Sequence, residues 1–210
     1  SKGFDFSLSK KSRSLISLPE LKHKDLTEKG TLSSQKSFDI KSVFYLIDQI
    51  SNNSKVKVPV EKLGALYDSV PGANLVVCTD MGTEPADFIV ASDNKLCFIH
   101  VKCGKSFKYP QSSAGALAEV GGQAIKNIFP LASKVRDYTP GNWPELHNPW
   151  PVPNAPITLD NRVRMIDKQT PEQYTKKHGV PNNQLMKEAW DRINSLRVSP
   201  SVEKEIWLVV

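Results

Sequence analysis

Leu96-Cys97-Phe98-Ile99-His100-Val101-Lys102-Cys103 is the stretch on which the fold turns. Side chains of an extended strand alternate between faces, so Cys97, Ile99, Val101 and Cys103 share one wholly apolar side. Phe98, His100 and Lys102 share the other. An ammonium on an otherwise apolar strand needs a partner or a task, because burying it unpaired is costly. Just upstream, Ala86-Asp87-Phe88-Ile89-Val90-Ala91 reads as a second strand, and Ser92-Asp93-Asn94-Lys95 as the polar turn that joins the two. A turn centred between Asp93 and Asn94 sets Asp87 opposite His100 and beside Lys102 on one face, whereas an odd-length loop would slip that register.

Working outward, Leu75-Val76-Val77-Cys78-Thr79 precedes these as a β-rich run ending at Asp80-Met81-Gly82. Val43, Leu46, Ile47 and Ile50 recur at helical spacing, with Ser37 or Asp39 placed to cap the start and Ser51-Asn52-Asn53-Ser54 to end it. A second short helix is expected over Val60 to Ser69, closed by Pro71-Gly72. Downstream, a helix from about Ser113 to Ala132 carries an apolar stripe of Leu117, Val120, Ala124 and Ile128 and a polar stripe of Glu119, Gln123 and Lys126. Gly121-Gly122 inside it should cost roughly 1 kcal/mol each against Ala, for which close backbone packing would be the reason.

Residues 137–160 are dense in Pro and Trp and read as an irregular insertion or functional loop. Trp143, Trp150 and Trp190 are better placed as core or loop anchors than as base-stacking platforms. Arg162-Val163-Arg164-Met165-Ile166 suits a short strand. A helix over Asn183 to Leu196 turns Leu185, Ala189, Ile193 and Leu196 to one side, and Glu205 to Val210 reads as a further strand. The expected class is α/β, with a central mixed β-sheet flanked by helices. Residues 1–36, rich in Ser and Lys, form an arm or linker from a preceding domain, and residues 37–210 form one domain. The chain starts at Ser1 and stops inside an apolar run, as a piece of a longer protein with additional domains would.

The 210 residues carry a formal net charge of +6. That basic excess fits a polyanion, and nucleic acid is the commonest one. Cys78, Cys97 and Cys103 are odd in number, lack C-x-x-C spacing and sit in or beside apolar runs, as reduced thiols of a cytoplasmic protein do. They form no zinc-type pairing with His23, His100, His147 or His178. No apolar run approaches the ~20 residues that span a bilayer, and no membrane partner is expected.

Asp87, His100 and Lys102 together supply two ligands for a divalent cation and an ammonium that orients water or stabilises developing negative charge. This is a kit for metal-assisted phosphodiester hydrolysis. Gly82-Thr83-Glu84-Pro85-Ala86-Asp87-Phe88-Ile89-Val90 followed by Phe98-Ile99-His100-Val101-Lys102 resembles the PD-(D/E)XK nuclease superfamily, in which an Asp begins one strand and an acid-x-Lys follows on the next. The order helix, three strands, helix is similar to that family's core. The resemblance implies a restriction-endonuclease-like fold, Gln123 or Lys126 facing the site from the later helix, and Glu61 as a candidate from the first. It departs from the pattern at His100, which stands where the second acid is expected. Glu84, separated from Asp87 only by Pro85 and Ala86, could restore the carboxylate, with Asp80 next in line.

The expected catalytic set is therefore Asp87, His100, Lys102 and Gln123, and the expected metal ligands are Asp87, His100 and Glu84, holding Mg²⁺ or Mn²⁺. The resemblance implies a DNA endonuclease domain within a larger bacterial restriction or phage-defence protein. The rival reading is a catalytically degenerate nuclease fold that holds nucleic acid or a partner domain without cutting. Nothing in the sequence separates DNA from RNA, because 2′-hydroxyl contacts leave no short motif, and an oligomer is equally compatible with it.

Overall fold

The computed structural model describes residues 26–30, 36–51, 66, 69–103, 114–150 and 159–210. Their centre is a five-stranded mixed sheet of β1 (Leu75–Cys78), β2 (Phe88–Ala91), β3 (Lys95–Val101), β4 (Val163–Ile166) and β5 (Glu203–Val209), in the order β4-β1-β2-β3-β5. Helices flank it: α1 (Val43–Asp48), α2 (Ala114–Ala132), the single turn α3 (Trp143–Leu146), α4 (Pro171–His178) and α5 (Asn182–Val198). The chain is α/β, as its alternation of β-rich and helical periods suggests.

The hairpin register is the one the polar turn dictates. Phe88 pairs with Ile99, Ile89 with Phe98, Val90 with Cys97 and Ala91 with Leu96, and Ser92 N–H closes the turn on the Lys95 carbonyl at 2.9 Å. The regular pairing ends at Phe88 and Ile99: Asp87 N–H donates to the Ile99 carbonyl, so the register expected to set Asp87 opposite His100 does not continue through Asp87. β1 runs antiparallel to β2, whereas β5 lies parallel to β3. The C-terminal end of β1, the start of β2 and the C-terminal end of β3 therefore meet at one end of the sheet. Asp80, Asp87 and His100 to Lys102 all lie there.

Both faces of the sheet are covered, so its strands are apolar on both sides. Val76, Cys78, Phe88, Val90, Cys97, Ile99 and Val101 pack against Phe38, Val43, Phe44, Ile47, Ile50 and Trp150. Leu75, Val77, Ile89, Ala91, Leu96 and Phe98 pack against Leu131, Tyr174, Leu185, Ala189, Trp190 and Ile193. The three tryptophans expected as anchors are so used: Trp150 and Trp190 are buried, and half-buried Trp143 packs on Trp190 with ring centroids 5.7 Å apart.

Several local expectations change. Ser42, not Ser37 or Asp39, caps α1, its hydroxyl accepting from Tyr45 N–H. Asp39 instead accepts from Lys41 N–H and shapes the turn before the cap. Leu117 and Ile128 of α2 are exposed, at 53% and 51%; the helix packs through Ala116, Val120, Ala124 and Leu131. Gly121 and Gly122 have nothing within 4 Å of where a Cβ would stand, so close packing does not explain them. Helix α4 has no counterpart in the sequence reading, and the helix expected over Val60 to Ser69 lies almost wholly outside the described residues. No described helix is long and apolar enough to cross a membrane.

Candidate metal centre

The loop between β1 and β2 carries the acids. Thr79 N–H and Asp80 N–H both donate to the Asp87 carbonyl, at 2.8 and 3.2 Å, and the Thr79 hydroxyl donates to the Ala86 carbonyl at 2.6 Å, so the neck of the loop is closed. Its body is held from outside. Asn142 Nδ2 donates to the Thr79 and Met81 carbonyls, and Arg162 Nη1 to the Asp80 carbonyl at 2.9 Å. Gly141 passes so close that a Cβ would stand 2.6 Å from Thr83 Oγ1. This frame brings Asp80, Glu84 and Asp87 together: one carboxylate oxygen from each lies within 4.8 Å of the other two.

Each acid has a distinct environment. Asp87, buried, ends the regular pairing of β2: its N–H donates to the Ile99 carbonyl, and its Oδ2 accepts Val101 N–H at 2.8 Å. The side chain thus takes the acceptor place that the next backbone carbonyl would hold. Burial, and then the negative charge of Asp80, push its carboxyl well above the ordinary range, against the Val101 N–H and Lys29, which favour ionisation. Glu84, half-buried, is raised first by burial; backbone N–H groups of its own loop and Lys29 oppose this, while Asp80 adds to it. Its Oε2 is buried and accepts no hydrogen bond. Asp80 accepts Lys29 Nζ at Oδ1 and Trp150 Nε1 at Oδ2, both at 2.8 Å.

The cations follow in a line. Lys29 lies in the field of Asp80, Asp87 and Glu28. Glu28 lies between Lys29 and Lys102, 3.8 Å from each ammonium. Lys102 Nζ is 2.9 Å from Glu119 of α2. The charges alternate from the three carboxylates through Lys29, Glu28 and Lys102 to Glu119.

His100 stands apart from the carboxylates. It is only 2% exposed and shares the sheet face of Leu96 and Phe98, and it does not join the three acids in a ligand group. Burial lowers its pKa to about 4, which keeps the ring neutral, and its Nε2 has no hydrogen-bond partner. Gln123, one helical turn beyond Glu119 on α2, likewise has a buried Oε1 without a partner. Of the residues expected at the site, Asp87 and Glu84 are thus brought together, and Asp80 with them. Lys102 is linked to them through Glu28 and Lys29. His100 is not drawn into the cluster, and Glu61 lies outside the described residues. Lys29 and Glu28 come from the stretch expected as an arm, and no motif in it marks them.

No family model, curated protein or solved structure matches the chain. The donors decide what the site can hold. Three hard carboxylate oxygens suit Mg²⁺, Mn²⁺ or Ca²⁺ and not a soft metal. Two observations fit such an ion: the unpartnered, buried Glu84 Oε2, and two neighbouring carboxyls whose ionised forms the protein alone disfavours. The three cysteines join no such ligand group among the described residues, and burial opposes ionisation of Cys78, Cys97 and Cys103 alike.

Proposed function

We propose that the chain is a divalent-cation-dependent phosphodiesterase domain acting on DNA, with a restriction-endonuclease-like core. The observation that carries this reading is the convergence of Asp80, Glu84 and Asp87 within 4.8 Å at the sheet end where Lys29 and Lys102 also lie. Carboxylates hold the cation and ammonium groups hold the phosphate, which is the division of labour that phosphodiester hydrolysis needs. Asp87 and Glu84 are the direct ligands, and Asp80 completes the set. A bound divalent cation would supply Lewis-acid polarisation of the phosphate and a more acidic water. Lys102, freed from Glu119, would stabilise negative charge on the phosphate. The antiparallel run β1-β2-β3, followed by α2 and a β5 parallel to β3, supports the core assignment. The basic net charge supports a polyanionic substrate. A place in bacterial restriction or phage defence rests on the resemblance alone.

A second reading, a nucleic-acid-binding or interaction module that no longer cuts, is favoured by one observation: the Lys102 ammonium is engaged by Glu119 and Glu28, not by the acids of the cluster. Incubation with supercoiled plasmid, single-stranded DNA and RNA, each with Mg²⁺, Mn²⁺ or EDTA, decides between them. Cleavage should appear with either metal, vanish in EDTA, and fall by roughly a hundredfold or more in Asp87→Asn, as loss of a metal-site group does. Binding without cleavage under every condition would establish the module instead.

A further inference from the structure

We propose that Lys29 is a positioning residue that sets the cation affinity of the carboxylate cluster, by holding Asp80 and competing with a divalent ion for its carboxylate. The inference rests on the reading of Asp80, Glu84 and Asp87 as the cation site.

The placement of Lys29 is built into the backbone. The first amides of a helix have no partner within it. In α1 those of Val43 and Phe44 donate to the carbonyls of Thr27 and Glu28, at 3.0 and 3.1 Å, and Thr27 N–H donates back to the Lys41 carbonyl at 3.0 Å. Gly30 follows at φ +80°, where an added Cβ would overlap the Asp39 side chain. Residues 27–30 are therefore locked onto the entry to α1. From this base Lys29 reaches over the Phe44 ring, its Nζ 5.4 Å from the centroid, to end 2.8 Å from Asp80 Oδ1.

The consequence is a shared ligand. Both oxygens of Asp80 already accept a hydrogen bond, one from Lys29 and one from the Trp150 indole. Glu84 Oε2 accepts none. A cation seated on Glu84, Asp87 and Asp80 shares the Asp80 carboxylate with Lys29, whose ammonium already holds one of its two oxygens. The ammonium and a divalent ion repel at such short range, and their common carboxylate has to be shared or surrendered. With all three carboxyls ionised, as cation binding requires, their charge and that of Lys29 sum to two negative, matched to a single divalent ion. Without Lys29 the cluster carries one more negative charge and a free Asp80 oxygen.

Calorimetric titration of Mn²⁺ into the full chain tests this. Lys29→Met should bind Mn²⁺ roughly tenfold tighter or more, with Lys29→Gln as the second neutral variant if the first does not fold. Lys29→Arg, which keeps the charge, should stay at the wild-type value. Amide exchange supplies a readout independent of affinity. Mn²⁺ should speed exchange at Phe44 in the wild type, as the segment bearing Lys29 loosens, and not in Asp87→Asn. Unchanged or weaker Mn²⁺ binding in the neutral variants would overturn the role of Lys29. If Asp87→Asn also left Mn²⁺ affinity intact, or the wild type and the neutral variants bound no Mn²⁺, the cation-site reading itself would fall.

Discussion

His100 shows how far one side chain can depart from the chemistry its neighbours suggest. Its place on β3, on the face of Leu96 and Phe98 and two residues from Lys102, follows from strand alternation and is legible. Its surroundings are not, because what packs over a strand face comes from distant segments. Here the ring is buried and held neutral, with a pKa of about 4. An unfolded histidine titrates near 6.5. As pH falls from about 6.5 to about 4, the unfolded chain takes up a proton that the folded chain refuses, so stability drops through that window. Asp87 and Glu84, raised by burial, act in the opposite sense. The test is therefore a difference between two proteins. In urea unfolding at a series of pH values, His100→Leu should gain on the wild type steadily between about pH 6.5 and 4. Parallel pH profiles would mean that the imidazole is already solvated in the folded state. Lys29 marks the other limit of legibility: in a Ser- and Lys-rich stretch without periodicity, nothing local distinguishes it from Lys22, Lys24 or Lys36.

Among elements, β4 is the instructive one. Arg162-Val163-Arg164-Met165-Ile166 reads as a strand, yet its two arginines are buried, and each has a partner far along the chain. Arg162 supports the acid loop through the Asp80 carbonyl. Arg164 meets Asp48 at the end of α1 with two hydrogen bonds, at 2.7 and 3.1 Å, and also donates to the Lys36 and Asn161 carbonyls. Such a pair ties the first helix to the edge of the sheet. Removing one partner leaves a buried charge uncompensated, at about 3–5 kcal/mol. Arg164→Met should cost that much in urea unfolding, and Asp48→Asn added to it should recover part of the loss. Equal instability of the single and double variants would show that the cost comes from the Lys36 and Asn161 carbonyls. Helix α4, by contrast, was legible and overlooked. Thr170-Pro171-Glu172-Gln173 is a capping box with proline at the first helical position, and Gly179 at φ +68° closes the helix.

At the scale of the whole molecule, the two sheet faces are filled and the acids gather at one end, but α2 presents more apolar surface than the core uses. Its buried line is Ala116, Val120, Ala124 and Leu131. Beside it runs a second line, Leu117, Ile125, Ile128 and Phe129, all more than half exposed. Both lines have helical spacing, so periodicity alone could not say which one meets the sheet; the sequence reading drew residues from each. The choice is a property of the assembled layers, in which the small Ala116 and Ala124 let the helix approach β3 and β5. This assignment has a direct consequence for stability. Exposed substitutions usually stay within about 0.5 kcal/mol. Leu117→Gln, Ile125→Gln and Phe129→Gln should each behave so in urea unfolding of dilute protein. Val120→Asn, which puts an amide against the sheet and removes apolar volume, should cost several times more, on the order of 3 kcal/mol. The contrast reads which side of α2 faces inward. If the three glutamine variants lost as much as Val120→Asn, the second line would be buried in solution, and α2 would be an internal helix of a larger assembly.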